Sequence, residues 1–206
     1  MSAGRVHPIE VESYRILHER VDLSGLPPGV AAVVARMVHA SADPAYAASV
    51  VTDERSVTAG VAAVQAGAPV VCDVTMVQAG ISGAETHCLL AQTTAGPDGS
   101  PTRSAQAIRL AAERWPEGAV FVIGCAPTAL FEVMDLVSSG ALAPALVIGL
   151  PVGFVGAAES KARLVEVATG TPGGVPIVTN VGERGGAAVA AAAFNALVRL
   201  ASGEHP

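Results

Sequence analysis

Five short apolar runs constrain the fold of this chain most strongly. Each has the length of a strand, and several are nearly continuous in Val, Ile and Leu instead of alternating with polar residues. They lie at 68–74, 86–92, 118–124, 144–149 and 175–181. Continuous apolar strands are typical of a parallel sheet that is covered on both faces. The runs therefore predict a mainly parallel, five-stranded sheet buried between helices.

Helical patterns lie between most of these runs. We expect helices at 9–21, 27–41, 54–66, 101–114, 127–139, 156–168 and 185–201. Pro27 and Pro28 suit a first helical turn, Pro127 suits the first helical position, and Gly140 suits a helix end. The alternation of strands and helices predicts a three-layer α/β/α fold. At 206 residues, we expect one domain spanning 1–206.

Composition and charge argue against several classes of partner. The net charge is −6 and aromatic residues make up 3% of the chain, so we expect no nucleic-acid binding. Apolar residues make up 51%, yet no stretch reaches the roughly 18 uninterrupted apolar residues of a membrane-spanning helix. The first residues lack the apolar core of a secretory signal. We therefore expect a cytoplasmic protein that does not enter membranes.

The cysteines and histidines do not form a metal-binding pattern. Cys72, Cys88 and Cys125 are widely spaced without a CxxC pair, and the five histidines include no HExxH motif. The spacing indicates neither a disulfide framework nor a dedicated metal site. We expect no bound metal.

The loops after the strands are where a ligand of such a sheet binds. Asp73 and Thr75 follow the first run. Asp73 either orients a neighbouring helix N-terminus or reaches the ligand, and we favour the first. The glycines of GLPVGFVG (149–156) do not have the GxGxxG spacing of a nucleotide site, so ordinary strand-to-helix packing explains them better. Ser160 and Lys161 point in different directions on a helix, and we expect Lys161 to be a helix-surface charge.

Arg36 and His39 are three residues apart on the helix expected at 27–41 and therefore share one face. A permanent cation then lies beside a group that exchanges protons near neutral pH. The spacing leaves two interpretations open. His39 is either a last-turn residue stabilised by the helix dipole or the proton donor of an active site, and position alone favours the first.

Several motifs, taken in order, resemble those of the precorrin-8X methylmutase family. They are a helix with Ser13, RMVHA (36–40), CDVTMVQAGI (72–81), TRSA (102–105), IGCAPTALFE (123–132), GLPVGFVGAAESK (149–161) and GGAAVAAAAFNAL (185–197). The resemblance covers about residues 9 to 200. Its longest stretches are too long to be chance turns.

The resemblance implies an isomerase of cobalamin biosynthesis. It would move a methyl group from C-11 to C-12 of precorrin-8X to give hydrogenobyrinic acid, or carry out the same shift on cobalt-precorrin-8 to give cobyrinic acid, without a cofactor. It also implies a Rossmann-like fold and a homodimer with the tetrapyrrole site at its interface.

The resemblance also implies roles for individual residues. His39 corresponds to the catalytic histidine, while Ser13, Arg36 and Arg103 correspond to substrate-binding positions. Because the acetate and propionate groups of a tetrapyrrole need cations and N–H donors, we add Arg184 and Thr75, which follow strands, as candidate substrate-binding residues.

Two other functions remain open beside this one. The first is a corrinoid-binding carrier that has lost catalysis, which the presence of both Arg36 and His39 disfavours. The second is a nucleotide-dependent enzyme of Rossmann type, which only the fold class suggests. The lack of a GxGxxG motif argues against the second.

Overall fold

A single mixed sheet forms the centre of the computed structural model, which describes residues 7–171 and 173–203. Within those residues the sheet has six strands, in the order β1-β6-β5-β4-β2-β3. They are β1 (Val50–Val51), β2 (Val70–Cys72), β3 (Thr86–His87), β4 (Val120–Ile123), β5 (Leu146–Gly149) and β6 (Ile177–Asn180). All neighbouring pairs are parallel except β1 with β6.

The helices occupy the segments between the strands. They are α1 (Pro8–Arg20), α2 (Pro28–Ser41), α3 (Tyr46–Ser49), α4 (Glu54–Gln65), α5 (Thr75–Gly80), α6 (Arg103–Arg114), α7 (Pro127–Ser138), α8 (Ala157–Gly170) and α9 (Ala187–Ala201). Pro127 begins α7, and Gly140 follows its end with φ +77°, as the sequence predicts. Residues 1–6, which belong to the N-terminal stretch discussed above for its lack of a secretory signal, lie outside the described residues.

Alternate side chains of the strands enter two separate apolar cores. Val120 and Val122 of β4 pack with the helices α2, α4, α5 and α9, and α1 packs on α2 at the outside. Phe121 and Ile123 of the same strand pack with α6, α7 and α8. All four side chains are fully buried. The expected three-layer α/β/α architecture is therefore confirmed.

The predicted strand count is wrong by one. The additional strand, β1, has two residues and pairs with the end of β6 through Val50 and Asn180. So short a strand has no periodic pattern in the sequence. The run at 86–92 supplies only the two residues of β3 before a 3-10 turn at Leu90–Gln92. The short helices α3 and α5 were likewise not predicted.

The order of the parallel strands creates a switch point between β2 and β4. From β2 the chain first passes to the edge strand β3 and then returns to β4 on the other side of β2. In sheets of this kind, connections leave in opposite directions at the switch point and open a crevice at the carboxyl ends of the strands. None of the helices in the described part of the chain is long and apolar enough to span a bilayer.

Candidate active site

His39 lies in the last turn of α2, where two residues of α1 hold its ring. Its Nδ1 atom is 2.9 Å from the hydroxyl oxygen of Ser13. Its ring stacks on Tyr14 with 4.9 Å between ring centroids and 5° between planes. The hydrogen bond and the stack together fix both the position and the plane of the imidazole.

The sequence of α2 explains why this ring reaches the surface. Met37 and Val38 are buried in the core, whereas His39 is half-buried at the edge of the helix. The helix ends two residues later, because Ala42 adopts a left-handed conformation with φ 54°. His39 is thus a last-turn residue, but its hydrogen-bond partner is a side chain of α1 and not a capping carbonyl group.

Arg36 belongs to a second cluster, one turn before His39. Its guanidinium group donates to Oε1 of Glu10 over 2.9 Å, and Arg199 of α9 contacts the same oxygen over 2.9 Å. The sequence gives no local sign of this cluster, since its members come from three helices far apart in the chain. Glu10 and Arg199 are the site residues that sequence reasoning missed.

This environment lowers the pKa of His39 below its ordinary value of 6.5. Burial is the main cause, and the positive charges of Arg36 and Arg199 act in the same direction. The carboxylate of Glu10 opposes them. The imidazole of the free protein is therefore neutral at neutral pH, with one ring nitrogen as donor and the other as acceptor.

Two depressions flank His39. A cleft of about 320 Å³ between α2 and α9 is lined by Arg36, His39 and small residues of α9. On the other side, a cavity of about 90 Å³ is lined by Ser13, His39 and Arg20, among others. Sites that enclose drug-sized ligands occupy roughly 300–1,000 Å³. The larger depression is at the lower end of this range and a tetrapyrrole is larger than a typical drug, so neither depression encloses a tetrapyrrole.

Comparison with known proteins decides the family of this chain. The family model described as precorrin-8X methylmutase matches residues 8–200. The chain belongs to the precorrin-8X methylmutase family. The family indicated by the sequence motifs is therefore confirmed.

Individual relatives of the precorrin-8X methylmutase family cover nearly the whole chain. The precorrin-8X methylmutase of Sinorhizobium sp. is 40% identical over 197 residues, which are 91% of this chain and 91% of the relative. The cobalt-precorrin-8 methylmutase of Methanocaldococcus jannaschii is 39% identical over 176 residues, covering 84% and 80%. The crystal structure of the precorrin-8x methyl mutase from Thermus thermophilus is similar with a TM-score of 0.84 and 36% identity, covering 95% of this chain and 96% of that one.

Three of the five candidate substrate-binding residues lie around α2, the helix that carries His39. Ser13 contacts His39 directly, and Arg36 lines the same cleft as His39. Arg184 follows β6, and its side chain pairs over 3.3 Å with Asp43, just beyond the end of α2. This pair places Arg184 beside the helix that carries the histidine.

The remaining two candidates, Thr75 and Arg103, make no contact with His39 in the described part of the chain. Thr75 is the exposed first residue of α5. Arg103 begins α6 and donates to the carbonyl oxygens of Leu90 and Thr93 over 3.0 and 3.2 Å. Among the hydrogen bonds of the described residues, none joins Thr75 or Arg103 to His39. In the free chain Arg103 stabilises its own loop.

Asp73 occupies the crevice at the switch point. Its carboxylate accepts hydrogen bonds from the amides of Gly124, Cys125 and Ala126, over 3.1, 2.8 and 2.7 Å. Burial raises the pKa of Asp73, and the amide donors oppose this shift. The structure supports the expectation that Asp73 orients a helix N-terminus. Since the amides before α7 already bind a carboxylate, they do not form a vacant phosphate site, which argues against the nucleotide alternative.

The expected surface position of Lys161 is wrong. Only 1% of Lys161 is exposed, and its ammonium group donates to Oδ1 of Asn180 over 3.1 Å and to the carbonyl oxygen of Arg184 over 2.5 Å. Burial lowers its pKa to about 8. The helical pattern in the sequence predicts which face of the helix a residue lies on. It does not predict the polar partners that stabilise a buried charge. Ser160 donates to Ala157 instead, so the two form no nucleophile–base pair.

No metal-binding cluster is present among the described residues, as judged from groups of three or more His, Cys, Asp and Glu side chains. The three cysteines are free. Burial raises the pKa of the Cys72 thiol to about 12, and it raises those of Cys88 and Cys125 as well. Thiols in this state are poor nucleophiles and poor metal ligands.

Proposed function

We propose that this chain moves a methyl group from C-11 to C-12 of precorrin-8X, or of its cobalt-containing form, and that His39 handles the proton in this reaction. Membership of the precorrin-8X methylmutase family supports the proposed reaction, which is an isomerisation in cobalamin biosynthesis. The single observation that supports the role of His39 is its fixed position, with Ser13 on Nδ1 and the cleft beside it.

The reaction asks little covalent chemistry of the protein. The methyl group breaks its bond to C-11 and forms one to C-12 within the same conjugated ring, so no atom or electron is gained or lost. What the protein supplies is stabilisation of the tautomer from which the shift proceeds. A side chain that exchanges a hydrogen bond or a proton with the ring system provides this stabilisation.

The contact with Ser13 determines how His39 meets the substrate. When the Ser13 hydroxyl donates to Nδ1, the proton of the neutral imidazole resides on Nε2. Nε2 then donates toward a tetrapyrrole nitrogen in the cleft. The stack on Tyr14 keeps the ring from turning away.

Positive side chains bind the acetate and propionate groups at the periphery of the substrate. Arg36 lines the cleft beside His39, and Arg184 lies at the nearby end of α2. Thr75 begins α5 just after β2. Arg103 follows Thr102, whose hydroxyl contacts that of Thr128 at the start of α7 over 2.8 Å. Thr75 and Arg103 contact further peripheral groups. Guanidinium groups suit this role because they form paired hydrogen bonds with carboxylates.

A homodimer completes the site in this proposal. The cleft beside His39 is too small and too open to cover a tetrapyrrole. Large apolar side chains of the β5–α8 loop are also left uncovered, with Phe154 90% and Val155 89% exposed. A second copy of the chain covers these groups and closes the tetrapyrrole slot. We further propose that residues 1–206 act as a single domain and that the protein is cytoplasmic.

The test of the proposed function is conversion of authentic precorrin-8X by the purified protein without added cofactor. The visible spectrum should change to that of hydrogenobyrinic acid while the mass of the tetrapyrrole remains constant. Cobalt-precorrin-8 is tested in parallel. A folded dimer that converts neither compound would contradict the proposal, and tight product binding without conversion would favour the corrinoid carrier.

A further inference from the structure

Two guanidinium groups from different helices converge on one carboxylate oxygen. Arg36 of α2 and Arg199 of α9 each approach Oε1 of Glu10 to 2.9 Å. Two cations and one anion give this cluster a net charge of +1. Each guanidinium group has five N–H donors, more than one carboxylate can engage. The cluster is therefore built to bind carboxylates and is not saturated by Glu10.

The cluster is accessible and adjoins the cleft beside His39. The side chains of Arg36, Glu10 and Arg199 are 23%, 21% and 28% exposed. Arg36 lines the cleft together with His39, and Ala188, Ala191 and Ala192 of α9 provide small apolar side chains there. A flat macrocycle placed on these alanines lies beside Arg36, and Arg199 is one turn of α9 beyond Asn195, which also lines the cleft.

The helix that carries Glu10 is weakly anchored around this residue. Leu17 is the buried residue of α1, and it lies seven residues, about two helical turns, beyond Glu10. Ile9 and Val11, on either side of Glu10, are 74% and 57% exposed. Glu10 can therefore leave the two guanidinium groups without opening the apolar core.

We propose that Arg36 and Arg199 form a binding site for one peripheral carboxylate of the tetrapyrrole, and that Glu10 occupies this site in the free protein and gives it up to the substrate. The inference rests on the proposed function and adds Arg199 as a substrate-binding residue. Exchange of one carboxylate for another leaves the charge of the cluster unchanged. Two arginines beside His39 are thus never left without a counter-charge.

Equilibrium binding of hydrogenobyrinic acid tests this site, with the dissociation constant measured by visible absorption. Arg199→Gln should weaken binding about tenfold, because it removes a charged hydrogen bond to the ligand. Glu10→Gln should tighten binding severalfold, because it removes the competing carboxylate. Arg163→Gln and Glu19→Gln are the matched controls, since both residues are exposed and neither belongs to the cluster. Both controls should bind as the wild type does.

A second ligand separates carboxylate recognition from a structural effect. For a derivative whose carboxylates are all converted to methyl esters, Arg199→Gln and Glu10→Gln should bind with the affinity of the wild type. Arg199→Lys keeps the charge and should bind the free acid with intermediate affinity, and it provides a folded variant if Arg199→Gln is unstable. Equal effects on both ligands would overturn the inference.

Two further outcomes distinguish a failure of the carboxylate site from a failure of the proposed function. In the first, the wild-type protein binds and converts its substrate, but Glu10→Gln and Arg199→Gln have the same dissociation constants as their controls. This result would overturn the carboxylate site alone. Wild-type protein that binds no corrinoid would overturn the proposed function together with this inference.

Discussion

His39 is held by two side chains of one helix, and each fixes a different property of the ring. Ser13 engages Nδ1 over 2.9 Å, so that Nε2 is the ring nitrogen without a hydrogen-bond partner among the described residues. Tyr14 determines the plane of the ring. Removing one of these contacts therefore leaves the other in place.

Ser13→Ala should lower kcat about tenfold with little change in KM, because the imidazole loses its orienting partner but keeps its stack on Tyr14. Steady-state kinetics with precorrin-8X measure this effect. Ser138→Ala, an exposed serine at the end of α7, is the matched control. A loss confined to KM would show that Ser13 only binds substrate.

The charge beside His39 gives a second prediction. Because Arg36 contributes to the lowered pKa of His39, Arg36→Gln should move that pKa upward, toward its ordinary value of 6.5. An NMR titration of the ring protons measures this change. Arg163→Gln removes an exposed arginine of α8 and should leave the pKa of His39 at its wild-type value. An unchanged or lower pKa in Arg36→Gln would contradict the account.

Sequence reasoning found part of this site. The helical spacing places Arg36 and His39 on one face, and the family motifs add Ser13. Glu10 and Arg199 could not be found in this way, since 189 positions separate them and only the packing of α1 and α9 around α2 brings them together. Their contact depends on tertiary structure, which no local pattern encodes.

At the scale of elements, Asp73 connects the ends of β2 and β4. Its buried carboxylate binds three consecutive backbone amides at the start of α7. Asp73→Ala should lower the free energy of unfolding by roughly 3 kcal/mol, because buried N–H groups lose their partners. Asp73→Asn keeps one acceptor oxygen, so its free energy of unfolding should fall by less than that of Asp73→Ala. Urea denaturation measures both, with the exposed Asp135→Ala as control.

Lys161 makes stability depend on pH in the alkaline range. Its pKa in the folded chain is about 8, below its ordinary 10.5, so the unfolded chain binds more protons between these values. The free energy of unfolding should therefore rise with pH through this window, and the Lys161 contribution to this rise should be absent in Lys161→Met. Urea denaturation at about pH 7 and about pH 10 tests this. The same pH dependence in both proteins would contradict it.

The elements themselves could largely be predicted from the sequence. Buried parallel strands such as β4 and β5 are short apolar runs, and Pro127 indicates where α7 begins. The features that the sequence did not predict have physical causes. The strand β1 is defined only by its pairing with β6, and the burial of Lys161 depends on acceptors supplied by β6 and the following loop.

At the scale of the whole molecule, the proposed dimer accounts for the exposed apolar loop after β5. Phe154→Asp should lower the fraction of dimer, because a carboxylate buried at an interface without a partner is unfavourable. Sedimentation equilibrium measures the dimer fraction. Ala162→Asp introduces the same charge at an exposed position of α8 and is the control. A Phe154→Asp protein with the dimer fraction of the wild type would place the interface elsewhere.

The most direct test of the account is the conversion of precorrin-8X, followed by visible absorption, with the wild type, His39→Ala and His18→Ala. His18 is an exposed histidine of α1 outside the site. The account predicts that the wild type and His18→Ala form hydrogenobyrinic acid, and that His39→Ala, folded and still able to bind the product, is slower by at least about a hundredfold. Equal rates for all three proteins would contradict it and return His39 to a structural role.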